Sequence, residues 1–357
     1  MFVRWGMWFG TAVLGTVLAS VTVGSASAQP DDCKNRGQLD ALYCDEDADL
    51  VADTPKDQKK WKDPATLVFA YTPVEDPAVY QNIFKPFTDH LGTCTGKRVV
   101  YYPVNSNSAE IEAMRSGRLH IAGFSTGPTG FAVNLAGAVP FAIKGKETEK
   151  AGYHLIALVK KESPYQKLAD LKGKRIAHTS PSSNSGNLAP RVLFPTEGLK
   201  PDDDYKPLMS GGHDKSALGV RSGDYDMAPV ASDVFYRMVA RGVFKADEFR
   251  ILYKSPLFPT SSLAYAHDLK PDLANKIRDC FFTFRFPPEM MKEFDGDDRF
   301  LPITYKDDWA VVREVAEKTG TPFNKTAYDA EAKREAEALA KKQQEQQKQQ
   351  APAAPKQ

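Results

Sequence analysis

Along this chain of 357 residues, apolar positions fall into short runs separated by amphipathic stretches. Residues 67–71, 98–103 and 119–124 read as strands, while 77–91 and 109–116 carry apolar residues at helical spacing. Gly117 stands just past the second of these helices. A long apolar strand is expected at 153–160. A second set follows: a strand at 175–178, a helix after Ser185, a helix at 215–222 and a strand at 227–230. Residues 251–266 return to strand character and 271–284 to helix. Strands alternating with helices predict parallel sheets covered by helices. Two such runs, with the last elements returning after the second, predict an α/β protein of two lobes joined by two crossing strands. In such folds ligands sit beyond the carboxyl ends of the strands, facing the cleft.

The loops at those strand ends carry the unusual polar residues. Tyr71-Thr-Pro-Val-Glu-Asp76 follows the first strand, Asn105-Ser-Asn-Ser108 the second and Ser125-Thr-Gly-Pro-Thr129 the third. In the second run, Ser180-Pro-Ser-Ser-Asn-Ser-Gly186 follows a strand, and Ser210-Gly-Gly-His213 leads into a helix. Ser and Asn at a helix start accept from its first free backbone N–H groups, at the positive end of the helix dipole. Such a loop caps its helix, and it can also offer N–H and O–H donors to a small anion. One loop of this kind indicates a cap. Several at successive strand ends point to an anion site. Asp233 reads either as a helix N-cap or as a carboxylate facing a ligand, and Pro190 must kink its helix or delay its start.

Composition narrows the function. With 47 basic and 46 acidic side chains the net charge is +1, which argues against broad electrostatic binding of nucleic acid or an anionic membrane. Residues 1–28 read as a cleavable export signal: Arg4, an apolar run from Trp5 to Val23, and Ala26-Ser-Ala28 before Gln29. Interrupting Gly, Ser and Thr residues, with no basic cluster behind the run, disfavour a stable membrane anchor. Export permits disulfides. The four cysteines allow three pairings, of which Cys33–Cys44 with Cys94–Cys280 is the expected one. Residues 29–64 form a polar segment holding Asp45, Asp47, Asp49 and Asp53, the oxygen-ligand rhythm of a calcium loop. Leu50 and Lys56 stand where an EF-hand has Gly and Glu, so the segment is either a solvated acidic loop or a structural calcium site. No other cofactor is implied. The expected organisation is a first lobe at 65–158, a second at 159–255, a return to the first at 256–325, and a low-complexity, disordered tail or frayed helix at 326–357.

The region from residue 67 to 309 resembles the periplasmic solute-binding proteins of phosphonate, phosphite and phosphate ABC importers. The resemblance rests on Phe84-Lys-Pro-Phe87, Ile111-Glu-Ala-Met-Arg-Ser-Gly117, Leu168-Ala-Asp-Leu-Lys-Gly-Lys174, Ser180 to Gly186 with Pro190 and Arg191, and Ser210-Gly-Gly-His-Asp214. It implies a type II periplasmic-binding-protein fold and binding without chemistry. It also implies a ligand site in which the family's gripping triplet falls on Ser183, Asn184 and Ser185, its cleft histidine on His213, its acid on Asp233 and an aromatic on Tyr71. Ser125 and Thr126 would add donors from the opposite lobe. Asn184 stands where the family usually has Thr, and Ser125-Thr-Gly-Pro-Thr-Gly-Phe131 departs from the family's Phe-Gly-Pro-x-x-Tyr, with Phe131 replacing the hydroxylated aromatic. The implied partners are a small oxyanion and an ABC permease, the chain acting as a monomer. A periplasmic oxyanion sensor reporting to a histidine kinase is the alternative. A hydrolase using Ser183, His213 and Asp233 is a further one, although no G-x-S-x-G elbow is present.

Overall fold

Two separate hydrophobic cores organise the protein, one built from 67–143 and 263–328 with Leu39, Tyr43, Val51 and Ala52 of the N-terminal segment, and the other from 153–258 with Val315. The computed structural model describes residue 1 and residues 33–350, apart from 73, 76 and 321. The expected export signal lies outside the described residues. Among the described residues no helix is long and apolar enough to cross a membrane.

The first core lies under a sheet made of β1 (Thr66–Tyr71), β2 (Arg98–Tyr101), β3 (Ile121–Phe124), β4 (Ala138–Lys146) with its hairpin partner β5 (Glu149–Lys150), β11 (Ser262–Ala266) and β12 (Arg299–Pro302), in the order β12-β4-β11-β3-β1-β2. The second lobe carries β6 (Gly152–Lys160), β9 (Ala228–Ala231) and β10 (Phe249–Pro259), with β7 (Ala177–His178) and β8 (Leu208–Met209) alongside through the Ile176–Met227 bridge. The first sheet is mixed, not parallel as the alternation predicts. β2, β1 and β3 run parallel, but β11 enters from the other lobe and pairs antiparallel with both β3 and β4. Strand direction follows from where the chain comes from, which local pattern does not carry.

The lobes are joined side by side. β4 passes into β6 and β10 into β11, while β6 and β10 pair antiparallel through Gly152 and Pro259. Thr260 N–H donates to Ala151 O at 3.3 Å between the two connections. This doubly crossed α/β architecture is the type II periplasmic-binding-protein fold.

Two local departures have clear causes. The predicted helix at 77–91 is two, Pro77–Ile83 and Lys85–Thr95, because Pro86 has no N–H to give the preceding turn. The predicted tail is helical from Lys325 to Gln350, in keeping with its Ala, Glu, Lys and Gln content. Its start is docked, with Tyr328 buried and its hydroxyl donating to Ser108 O at 2.9 Å. Both expected disulfides are present, Cys33–Cys44 and Cys94–Cys280, the second tying the helix Lys85–Thr95 to the helix Pro271–Thr283.

Candidate functional site between the lobes

A cavity of about 150 Å³ lies between the lobes, the scale of a small anion with a short substituent. Tyr71, Ser125, Thr126, Ser183, Asn184, Ser185, His213 and Asp233 all line it. Helix starts from both lobes meet there: Asn107–Arg115 and Pro128–Ala136 from the first, His213–Ser222 and Ser232–Ala240 from the second.

The second-lobe wall is a wide helical turn, Asn184–Leu188, in which Leu188 N–H reaches back five residues to Ser183 O at 2.9 Å. Regular helix begins only at Ala189–Leu193, with Pro190 in its first turn, where a missing N–H costs nothing. So Pro190 delays the helix instead of kinking it. Ser183 caps the turn by accepting from Gly186 N–H at 3.1 Å, and no helical carbonyl can reach the N–H groups of Asn184 and Ser185. Gly186 is required here, since a Cβ would stand 1.9 Å from Thr179 Oγ1. Capping and anion donation are thus compatible, because the cap uses the serine oxygen and leaves its proton free.

His213 is the first residue of its helix and is buried. Its Nδ1 accepts from Ala231 N–H at 3.2 Å, so the proton sits on Nε2, 3.5 Å from Ser183 Oγ. Burial pushes its pKa down to about 4, leaving a neutral imidazole. Asp233 lies inside the helix Ser232–Ala240, whose cap is Ala231, so it is not an N-cap. It faces Arg237 at 3.7 Å. Arg191, by contrast, pairs with Asp202 on the lobe surface.

On the first-lobe wall, Tyr71 Oη accepts from Lys144 Nζ at 2.9 Å and keeps its own proton for the cleft. Ser125 Oγ donates to Asn107 Oδ1 at 3.3 Å, a long bond that a ligand can compete with. Thr126 differs from expectation: its hydroxyl donates to Pro259 O at 2.9 Å, so its oxygen is an acceptor toward the cleft, not a donor. Three buried polar atoms without a partner also belong to lining residues: Thr179 Oγ1, Asn184 Oδ1 and Thr260 Oγ1. Unpaired buried groups of this kind are rare and mark where a ligand or water completes the bonding.

The sequence model described as the periplasmic substrate-binding protein of a phosphonate ABC transporter matches residues 69–309. The chain belongs to this family. It is 28% identical over 288 residues to the phosphate-import protein PhnD of Mycolicibacterium smegmatis, covering 72% of this chain and 87% of that one. It is 26% identical over 208 residues to the phosphonates-binding periplasmic protein of Escherichia coli, covering 57% and 62%. A binding protein of an ABC phosphonate transporter from Pseudomonas aeruginosa superposes with a TM-score of 0.65 at 23% identity, over 81% of this chain and all of that one. PhnD1 of Prochlorococcus marinus, solved with methylphosphonate, gives 0.64 at 18% over 72% and 99%. The last two establish the shared fold.

Members of the phosphonate-binding family are solute-binding proteins, not enzymes, and the cleft geometry agrees. A Ser–His–Asp relay needs a basic Nε2 toward serine and a carboxylate on Nδ1. Here Nε2 carries the proton and Nδ1 meets a backbone N–H. Sequence reasoning missed Lys144, Tyr153, Thr179 and Thr260 on the lining, and the interlobe cluster of Glu75, Arg237 and Arg241. Burial pushes the Glu75 pKa up, but the two guanidiniums outweigh it and hold the carboxyl below its usual range.

The acidic loop is elsewhere. Asp45, Asp47 and Asp49 bring carboxylate oxygens within 4.8 Å of one another, while Asp53 is not part of the group and accepts from Glu46 N–H at 2.7 Å. The clustered oxygens cap the loop's own backbone, Asp45 accepting from Asp49 and Leu50 N–H and Asp49 from Val51 N–H.

Proposed function

We propose that this chain captures a small phosphoryl oxyanion (phosphate, phosphite or a short phosphonate) in the interlobe cleft and delivers it to an ABC permease, acting as a periplasmic monomer exported by residues 1–28. The observation that carries the reading is the convergence of helix starts from both lobes on a cavity lined by unpaired donors and acceptors. Family membership supports the importer role, and the relatives named for phosphate import and phosphonate binding support the ligand class.

Ser183 and Ser185 hydroxyls, the N–H groups of Asn184 and Ser185, and His213 Nε2–H would donate to the anion from the second lobe. Tyr71 and Ser125 would donate from the first. Each charge-assisted hydrogen bond contributes about 1.5–3 kcal/mol net. A handful would support micromolar binding, about 8 kcal/mol, after the cost of closure. Asp233 would accept from a P–OH group. Contacts from both lobes favour the closed form, which is how the ligand shifts a hinge equilibrium.

The test is thermal shift of the mature protein with phosphate, phosphite, methylphosphonate, sulfate and arsenite, followed by calorimetry of the best ligand. Saturable stabilisation by a phosphoryl oxyanion is expected, since stabilisation grows with ligand concentration over Kd. No shift with any of them overturns the reading.

A further inference from the structure

The charged side chains of the cleft are unequally satisfied. Lys144, on β4 of the first lobe, is only 5% exposed and lines the cavity. An ammonium carries three N–H donors. One has a partner, Tyr71 Oη, and the Nζ lies 4.8 Å from the centre of the Phe294 ring. Among the described residues no carboxylate comes within ion-pair distance of it. Lys144 lowers the pKa of Asp297 against the larger effect of burial, and Asp297 does not line the cavity. Burial drives the Asp297 pKa up to about 6, so at neutral pH it is largely ionised, but it forms no ion pair with Lys144.

Asp233 is the sole carboxylate among the described lining residues, and Arg237 already stands 3.7 Å from it. A ligand arm ending in an ammonium would therefore meet an acid shared with a guanidinium, and a buried like charge in the same cleft. A ligand bearing only negative and neutral groups would supply the counter-charge that Lys144 lacks.

We infer that Lys144 is the specificity-determining residue of this cleft, selecting oxyanions whose organic arm is neutral or anionic and rejecting those whose arm carries an ammonium. This rests on the oxyanion reading above. A purely structural Lys144, holding the Tyr71 ring in place, would leave the arm's charge unread.

Calorimetry at neutral pH with three phosphonates of similar size separates these: n-propylphosphonate, 2-aminoethylphosphonate and phosphonoacetate. The wild type is expected to bind phosphonoacetate at least as tightly as n-propylphosphonate, and 2-aminoethylphosphonate at least about tenfold more weakly than either. In Lys144→Met that gap should shrink to about threefold or less, while Lys144→Arg should retain it. A wild type that binds the amine as well as the others, or rejects phosphonoacetate, overturns the inference even if no variant folds. So does a gap that survives in Lys144→Met. Binding of inorganic phosphate without any ranking by arm charge sinks the role of Lys144 alone. Failure of the wild type to bind inorganic phosphate or any phosphonate sinks the oxyanion reading and this inference together.

Discussion

The two walls of the cleft are made by different means. The second-lobe wall is built around a sequence-local element, the turn at Asn184–Leu188, with the neutral His213 and helix N-termini beside it, although His213 is oriented by Ala231, and Tyr153 and Arg237 also reach the lining. The first-lobe wall adds long side chains whose positions depend on distant strands, Tyr71 on β1 and Lys144 on β4. Only the second wall presents a dense set of neutral donors, and only the first presents a buried ammonium without a paired carboxylate. A sequence-local wall suits a group common to all ligands, and a tertiary wall suits what differs between them.

Removing the local donors should have the largest effect. Ser183→Ala with Ser185→Ala deletes two charge-assisted bonds and should weaken oxyanion binding by about 3–6 kcal/mol, read by calorimetry. Ser183 also caps Gly186 N–H, so the unliganded protein should lose about 1 kcal/mol in a denaturant melt. A loss of several kcal/mol in the unliganded protein, with binding intact, would make the turn a cap and nothing more.

The lobes also differ in how they are tied. Both disulfides lie outside the second core, and Cys94–Cys280 closes a separation of 186 residues against 11 for Cys33–Cys44. Chain-entropy arguments give roughly 5 kcal/mol for the long loop and roughly 3 for the short one. Cys94→Ala with Cys280→Ala should therefore destabilise the protein more than the matching change at Cys33 and Cys44. Chemical denaturation of the two variants reads the order, and the reverse order would break the argument.

Glu75 joins the walls. This first-lobe carboxylate is 7% exposed and accepts from Arg237 at 2.7–2.8 Å and Arg241 at 2.6 Å, both in the second lobe, and Arg241 returns to Glu293 of the first. Taking away one partner leaves Arg237 buried beside only the more distant Asp233, so Glu75→Ala should cost about 3 kcal/mol in unfolding free energy. The exposed pair Lys85–Asp89 is the control: Asp89→Ala should cost no more than about 0.5 kcal/mol. Equal losses would show that the interlobe cluster is solvated and contributes little to closure.

What the sequence revealed follows the same division. The Ser183–Ser185 turn was readable because capping, the early Gly186 and the delaying Pro190 act within a few residues. Lys144 was not, because it reaches Tyr71 only through β11, which begins at Ser262, far along the chain from the end of β4 at Lys146, and pairs β4 with β3. Glu75 and Arg237 are 162 apart, and neither carries a local mark of the other. The mixed sheet escaped for the same reason, since alternation reports that strands exist but not which way the chain returns. The break at Phe84 had a signal in Pro86, and Thr126 had none, since its partner Pro259 lies on the far crossing strand.

The smallest expected effect concerns protons. His178 and His213, both in the second lobe, have pKa values pushed down to about 4, chiefly by burial, and His178 is held between Asn187 Oδ1 and Tyr205 Oη. The unfolded chain takes up a proton on each near pH 6.5, whereas the folded protein does not until about pH 4. The unfolded state therefore binds more protons across that window, and stability is lost as pH falls from 6.5 toward 4. Each ring should contribute about 1 kcal/mol of loss between pH 6.5 and 5.5. Asp297, raised to about 6, works the other way, gaining its proton first in the folded protein, so the total slope understates the histidines. Ring nitrogen shifts measured by NMR isolate them: both imidazoles should stay neutral down to about pH 5. Protonation of His213 near pH 6.5 would mean that the second-lobe wall is wetter and more open than its neutral donor set requires.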